Sequence, residues 1–189
     1  MDDKRRTAPP VQFVTLGVRI AGIERYKRVH LMAGMAAYVR VALELSLAVQ
    51  LDARCFTDPG RTELLDHTGM HPEIISRLVA TNVFPLWAGE ARGQIHEAVH
   101  EHERDRLQGP VTVLVFCRSG KHRAIAAAEV IRHAAITVDG LNCPPVIHLG
   151  RSRCNWHCVD CEPRKNERRR LALRRGADVW AANCGSATE

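Results

Sequence analysis

No stretch of this chain of 189 residues is apolar for the ~20 residues that a membrane-spanning helix needs. The most apolar segment, residues 31–51, is broken by Arg40 and Glu44, so no transmembrane span is expected. Aromatic residues are scarce, at 5%, and no RNP-like arrangement of them occurs, which removes the usual platform for reading bases by stacking. A GxxxxGK motif followed by Ser or Thr is also missing, so ATP hydrolysis is not expected. The head, residues 1–10, carries Asp2, Asp3, Lys4, Arg5 and Arg6 and no apolar signal core follows it. Secretion is therefore not expected, and the cytoplasm is the expected compartment. Seven cysteines make an odd set without a signal peptide, which favours free thiols or a metal site over a disulfide framework.

What is present is ordinary globular material: 46% hydrophobic and 25% charged residues, enough for one α/β domain with a packed core. The net charge of +6 is unevenly spread, with +4 in residues 1–50, −3 in 51–100, +1 in 101–150 and +4 in 151–189. Basic ends around an acidic middle suit a phosphate-bearing partner, though a solubilising surface has the same look.

Residues 11–20 (VQFVTLGVRI) alternate and are β-branched, so a strand is expected there. Residues 25–45 place Leu31, Met35, Tyr38, Val39, Ala42 and Leu45 at helical spacing as one buried face. Residues 47–56 return to strand character and stop at Thr57-Asp58-Pro59-Gly60. His71-Pro72-Glu73 reads as a helix start, and residues 91–107 as a helix with one solvated side, on which His96, His100 and Glu103 share a face. The clearest unit is Val111–Phe116, a continuous apolar run, followed by a polar loop and an Ala-rich helix over 122–135. This is half of a parallel βαβ unit, and residues 146–149 supply a further strand.

The loop Cys117-Arg118-Ser119-Gly120-Lys121-His122-Arg123 joins a buried strand to a helix N-terminus, where backbone N–H groups and the helix dipole favour an anion. Ser119 adds a hydroxyl, Gly120 a close backbone approach, and Arg118, Lys121 and Arg123 fixed positive charge. A phosphate site is expected here. Two kinds of protein use such a loop. Cys117, Gly120 and Arg123 fit the CxxGxxR spacing of thiol phosphatases, with Cys117 as nucleophile and Arg123 as phosphate ligand. Against that reading, Phe116 and Ala124 replace the usual flanking His and Ser or Thr, and Asp58 is the nearest approach to a general acid.

The second resemblance covers more of the chain. Asp52-Ala53-Arg54, Asp58-Pro59, Leu65, Thr68-Gly69 and CRSGKHRA at 117–124 resemble, in order and distance, the C-terminal domain of the RapZ family. Residues 14–19 and 146–149 resemble its opening and closing strands, so the likeness spans residues 12–150. The resemblance implies a compact α/β domain with a mostly parallel sheet, related in shape to phosphofructokinase subdomains. It also implies RNA binding and a pocket for a phosphorylated sugar such as glucosamine-6-phosphate. Lys121, His122 and Arg123 match the family's lysine-histidine-arginine, and Ser119 and Gly120 its two glycines in part, while Arg118 and Ala124 depart from it. Arg118, Ser119, Gly120, Lys121, His122 and Arg123, with Asp52, Arg54 and Arg19, form the candidate phosphate- or RNA-binding set. No catalytic residue is assigned on this reading, and the ligand is RNA or a phosphorylated small molecule.

On these grounds residues 1–10 are expected to be a disordered basic head, 11–150 the α/β domain, and 151–189 a Cys-rich segment with a basic terminal helix. Cys154, His157, Cys158 and Cys161 lie within eight residues, and thiolate and imidazole ligands suit zinc. An ordinary Cys-rich turn is the competing reading, because adjacent His157 and Cys158 are awkward as ligands to one ion. Beyond Pro163, seven Arg and Lys residues up to Arg175 face Glu167. They suit either a solvated helix docked by Leu171, Leu173 and Trp180 or a salt-sensitive contact to phosphates.

Overall fold

The apolar stretches form strands that run in one direction and are covered on both sides, as continuous hydrophobic runs require. A computed structural model describes residues 8–19, 28–60, 62–150, 154, 158–161 and 166–183; most of the basic head, His157 and Cys184 lie outside them. The strands are β1 (Val11–Gly17), β2 (Leu47–Asp52), β3 (Val111–Cys117) and the two-residue β4 (Ile147–His148), in the order β2-β3-β1-β4, all parallel. β1 and β3 pair in register from Val11 with Val111 to Gly17 with Cys117.

Helix α1 (Arg28–Leu43) lies on one face, where Leu31, Met35 and Val39 pack on Val14, Leu16, Leu114 and Phe116. Helices α2 (Pro72–Val79), α3 (Phe84–Arg104), α4 (Arg123–Thr137) and α5 (Glu167–Ala182) share the larger core on the other face. The connection leaving β1 and the connection leaving β3 therefore depart to opposite sides of the sheet. In an open parallel sheet this is the switch point at which a crevice opens beyond the strand ends.

Several expectations needed adjustment. Ala42 is exposed rather than buried, as is its neighbour Val41, because the buried stripe of the helix runs through Leu31, Met35 and Val39. β2 stops at Asp52, whose carboxylate accepts the Arg54 N–H and turns the chain into the 3-10 turn Ala53–Cys55. Helix α3 begins at Phe84, one to two turns before the expected start, because Phe84 and Trp87 pack around Phe56 with ring centroids 6.2 and 5.2 Å away. The His71 expectation holds: its Nδ1 accepts the Glu73 N–H and caps α2.

The basic C-terminal helix is docked, not solvated all round. Ala172, Leu173, Gly176, Ala177 and Trp180 are buried, whereas Leu171 faces out. Arg169 is buried too, its Nη2 2.7 Å from the Glu129 carboxylate. Glu129 in turn faces His148 at 3.5 Å, and His148 Nδ1 lies 2.8 Å from the Thr15 hydroxyl. Burial alone would raise the Glu129 carboxyl, yet His148 and Arg169 outweigh it and hold the group below its usual range.

Helices α4 and α5 pack tightly at Gly176, where an added Cβ would stand 2.2 Å from Val130 Cγ1. Gly176→Ala should therefore destabilise by about 1–3 kcal/mol through overpacking, although alanine is the better helix former by about 1 kcal/mol. Urea denaturation should show that Val130→Ala in the same chain recovers part of this loss. Additive losses would mean that the two residues do not meet.

Candidate functional site

The loop after β3 lies at the switch point. The Val18 N–H donates to the Cys117 carbonyl at 2.9 Å and the Arg19 N–H to the Arg118 carbonyl at 3.1 Å. The exit of β1 thus runs beside the loop and sets Arg19 next to Arg118, both exposed. Gly120 takes φ +70°, a left-handed conformation, and a Cβ on it would stand 2.5 Å from Gly17 N; a Cβ on Gly17 would stand 2.5 Å from the Ser119 carbonyl. Only glycine at both positions permits this contact of backbone on backbone.

The cations of the loop divide into two groups. Arg118 and Ser119 stand exposed at the rim. Lys121 Nζ donates to the Leu65 carbonyl, and Arg123 Nη1 donates to the carbonyls of Arg54 at 3.2 Å and Phe56 at 3.0 Å. Lysine has three donors and arginine five, so each is fixed by these bonds and still has N–H groups to offer. Helix α4 begins at Arg123 with no side chain capping its first turn.

His122 is the buried member, 5% exposed. Its Nε2 donates to the His67 carbonyl at 3.1 Å and its Nδ1 lies 3.0 Å from Asp58 Oδ1. The bond from His122, helped by the Gly60 N–H, holds the Asp58 carboxyl at about 2 against a burial that would raise it. Both ring nitrogens thus face oxygen atoms drawn from the segment 58–67. Gly60 walls the ring in, since a Cβ there would stand 2.3 Å from its Nδ1, while Gly69 lies against the backbone of the same residue, where a Cβ would stand 2.3 Å from the His122 carbonyl.

Beyond the ends of β2 and β3 a cleft of about 360 Å³ is lined by Gln50, Asp52, Arg54, Trp87, Glu90, Gln94 and Phe116, among others. Asp52 and Arg54 bind each other through two parallel bonds of 2.9 and 2.7 Å, with the guanidinium over the Phe116 ring. The buried Oε1 of Gln50, a residue that lines this cleft, has no hydrogen-bond partner. The loop 117–123 meets this cleft at Arg54, whose carbonyl accepts from Arg123.

The thiol-phosphatase reading gains nothing from this geometry. Cys117 is buried, 1% exposed, and its Sγ accepts the Gly120 N–H at 3.2 Å. Asp58, held at about 2 by His122, is ionised at neutral pH and has no proton to give a leaving group.

A second cluster lies on the far side of His67. Its Nδ1 is 3.5 Å from Cys161 Sγ and 3.9 Å from Cys154 Sγ, and Cys158 completes a group whose ligand atoms all lie within 4.8 Å of one another. Burial, with the neighbouring Cys158 and Cys154 thiols, pushes the Cys161 thiol up to about 12, opposed by a hydrogen bond from the Thr68 backbone. The sequence reading missed His67. It stands between Asp66 and Thr68-Gly69 with no nearby cysteine, so no spacing could have linked it to Cys154 across 87 residues.

The sheet order, the crevice and the loop define a doubly wound α/β domain with its candidate site at the strand carboxyl ends. The chain belongs to the RapZ C-terminal domain family, whose pattern matches residues 38–143. No curated protein and no solved structure matches it. The match begins in α1 and ends at Cys143, so β1, β4, the cysteine cluster and α5 lie outside it.

Because the folded Asp58 carboxyl sits at about 2 rather than 3.8, its contribution to stability is complete above pH ~4 and is lost as pH falls towards ~2. In Asp58→Asn the urea midpoint should fall less over that window than in the wild type. Parallel curves for the two proteins would mean that the His122 contact contributes nothing.

Proposed function

We propose that the domain binds a phosphorylated small molecule, with its phosphate at the loop 118–123 and its polar body in the adjoining cleft. The observation that carries this reading is the position of the loop at the switch point, with Lys121 and Arg123 already fixed on carbonyls and holding spare donors. Oriented cations of this kind bind an anion without first losing side-chain freedom. Arg118, Arg19 and the Ser119 hydroxyl supply the exposed rim. The cleft favours a hydroxyl-rich ligand, since Asp52, Glu90 and Gln94 offer acceptors. A phosphorylated sugar, the ligand that the family resemblance implies, combines both chemistries.

RNA is a second reading, supported by one feature outside this site. Arg168, Arg174 and Arg175 lie on the exposed side of α5 while Arg169 is turned inward. Such a row would contact backbone phosphates with little base preference.

Cys117, buried with its Sγ accepting the Gly120 N–H, is read as a small residue at a strand end, and Cys117→Ser should leave ligand affinity unchanged.

Calorimetry with inorganic phosphate and with glucosamine 6-phosphate tests the first reading. Arg118→Glu should weaken both ligands by at least tenfold, the scale of one lost charge-assisted hydrogen bond. Glu90→Ala should weaken only the sugar phosphate. Equal affinities in wild type and Arg118→Glu would remove the loop from the site. For RNA, gel shifts across a salt series should give a log–log slope that falls by roughly two in Arg174→Ala, Arg175→Ala.

A further inference from the structure

We infer that Cys154, Cys158, Cys161 and His67 form a structural zinc site that fastens the segment after β4 onto the loop supporting His122. The geometry is that of a tetrahedron. Zinc bonds of ~2.3 Å to sulfur and ~2.05 Å to nitrogen put two ligands of a tetrahedral site about 3.8 Å apart for S···S and about 3.6 Å apart for S···N. The His67 Nδ1 distances are 3.5 and 3.9 Å, and the whole set falls within 4.8 Å. Three thiolates and one imidazole are soft, tetrahedral donors that select zinc over magnesium or calcium. Four protein ligands leave no open position, so the role is structural.

Two further observations favour this set. The Thr68 backbone donates a hydrogen bond to the Cys161 sulfur, the kind of outer contact that orients a metal thiolate. The Cys161 N–H also bonds the Cys158 carbonyl at 3.1 Å in the turn Val159–Cys161, which brings the two sulfurs to one side. A second group, His71, Cys158 and Asp160, shares one sulfur with the first but offers a single thiolate and a carboxylate. The four-ligand set is the better match to zinc.

The position of the site gives it a consequence. His67 presents its ring to the cysteines and its carbonyl to His122 Nε2, and Leu65, two residues earlier, receives Lys121. A metal at His67 would therefore set the loop on which the anion-loop residues rest. The inference stands whatever the loop 117–123 binds.

Metal analysis of the full chain purified without chelator should give one zinc per chain. Cobalt added to the chelator-treated protein should give the visible spectrum of a tetrahedral thiolate site. His67→Ala should weaken zinc by about two orders of magnitude or more, one ligand's share of the binding. His67→Cys, which keeps four donors, should bind zinc near the wild-type level, and this separates ligand loss from misfolding. His157→Ala and Asp160→Asn should retain the metal. Hydrogen exchange at residues 64–69 should rise when zinc is removed. A folded, metal-free preparation that takes up no cobalt, or zinc lost in His157→Ala or Asp160→Asn but kept in His67→Ala, would overturn the assignment.

Discussion

A buried imidazole holds the candidate site together. His122 closes the loop after β3, and its two nitrogens reach Asp58 and the His67 carbonyl, from a segment more than fifty residues earlier in the chain. Leaving such a group without partners in the interior would cost several kcal/mol, so the 58–69 segment is obliged to fold against the loop. Pro59 and Gly60, both buried, and the Gly69 N–H, which donates to the Lys121 carbonyl at 2.9 Å, follow from that demand. The same contact leaves Arg118 and Ser119 outside as the exposed part.

The rest of the chain supplies rigidity behind this contact. The Glu129 network ties β1, β4, α4 and α5 together through His148, Thr15 and Arg169. Towards the other end of α5, on the same buried face, Trp180 Nε1 donates to Asp139 at 2.8 Å, and Arg92 meets the same carboxylate at 2.5 Å. Burial would raise Asp139, but Arg92 and Trp180 hold it below its usual range. Helix α4, which begins at the loop after β3, is thus braced at several points along its length.

His67 sits where the two candidate sites meet. Its backbone serves the anion loop and its side chain the cysteine cluster, so a change in one can be felt in the other within a single residue. Among the described residues no helix is long and apolar enough to cross a membrane, and the polar features concentrate at the carboxyl ends of the strands and along α5.

The strands, the main helices and the loop between β3 and α4 were legible in the sequence because each depends on local chemistry. Val111–Phe116 read as a strand covered on both faces, His71-Pro72 carried its own cap, and polar residues between an apolar run and an Ala-rich helix marked the loop at the strand end. The residues of the motif at 52–54 and 117–124 also carried the family likeness. Three features depended on contacts distant in sequence and were decided by tertiary structure alone. The early start of α3 came from Phe84 and Trp87 meeting Phe56. Trp180 and Leu173 already marked a docking face on α5, but the burial of Arg169 within it came from Glu129, a neutralisation that the composition of α5 does not contain. The place of His67 beside Cys154 and Cys161 came from the segment that His122 draws inward. Spacing reports only what lies within a few turns of a residue; the partner of a buried charge or a thiolate is chosen by whichever segment the core brings within hydrogen-bonding distance.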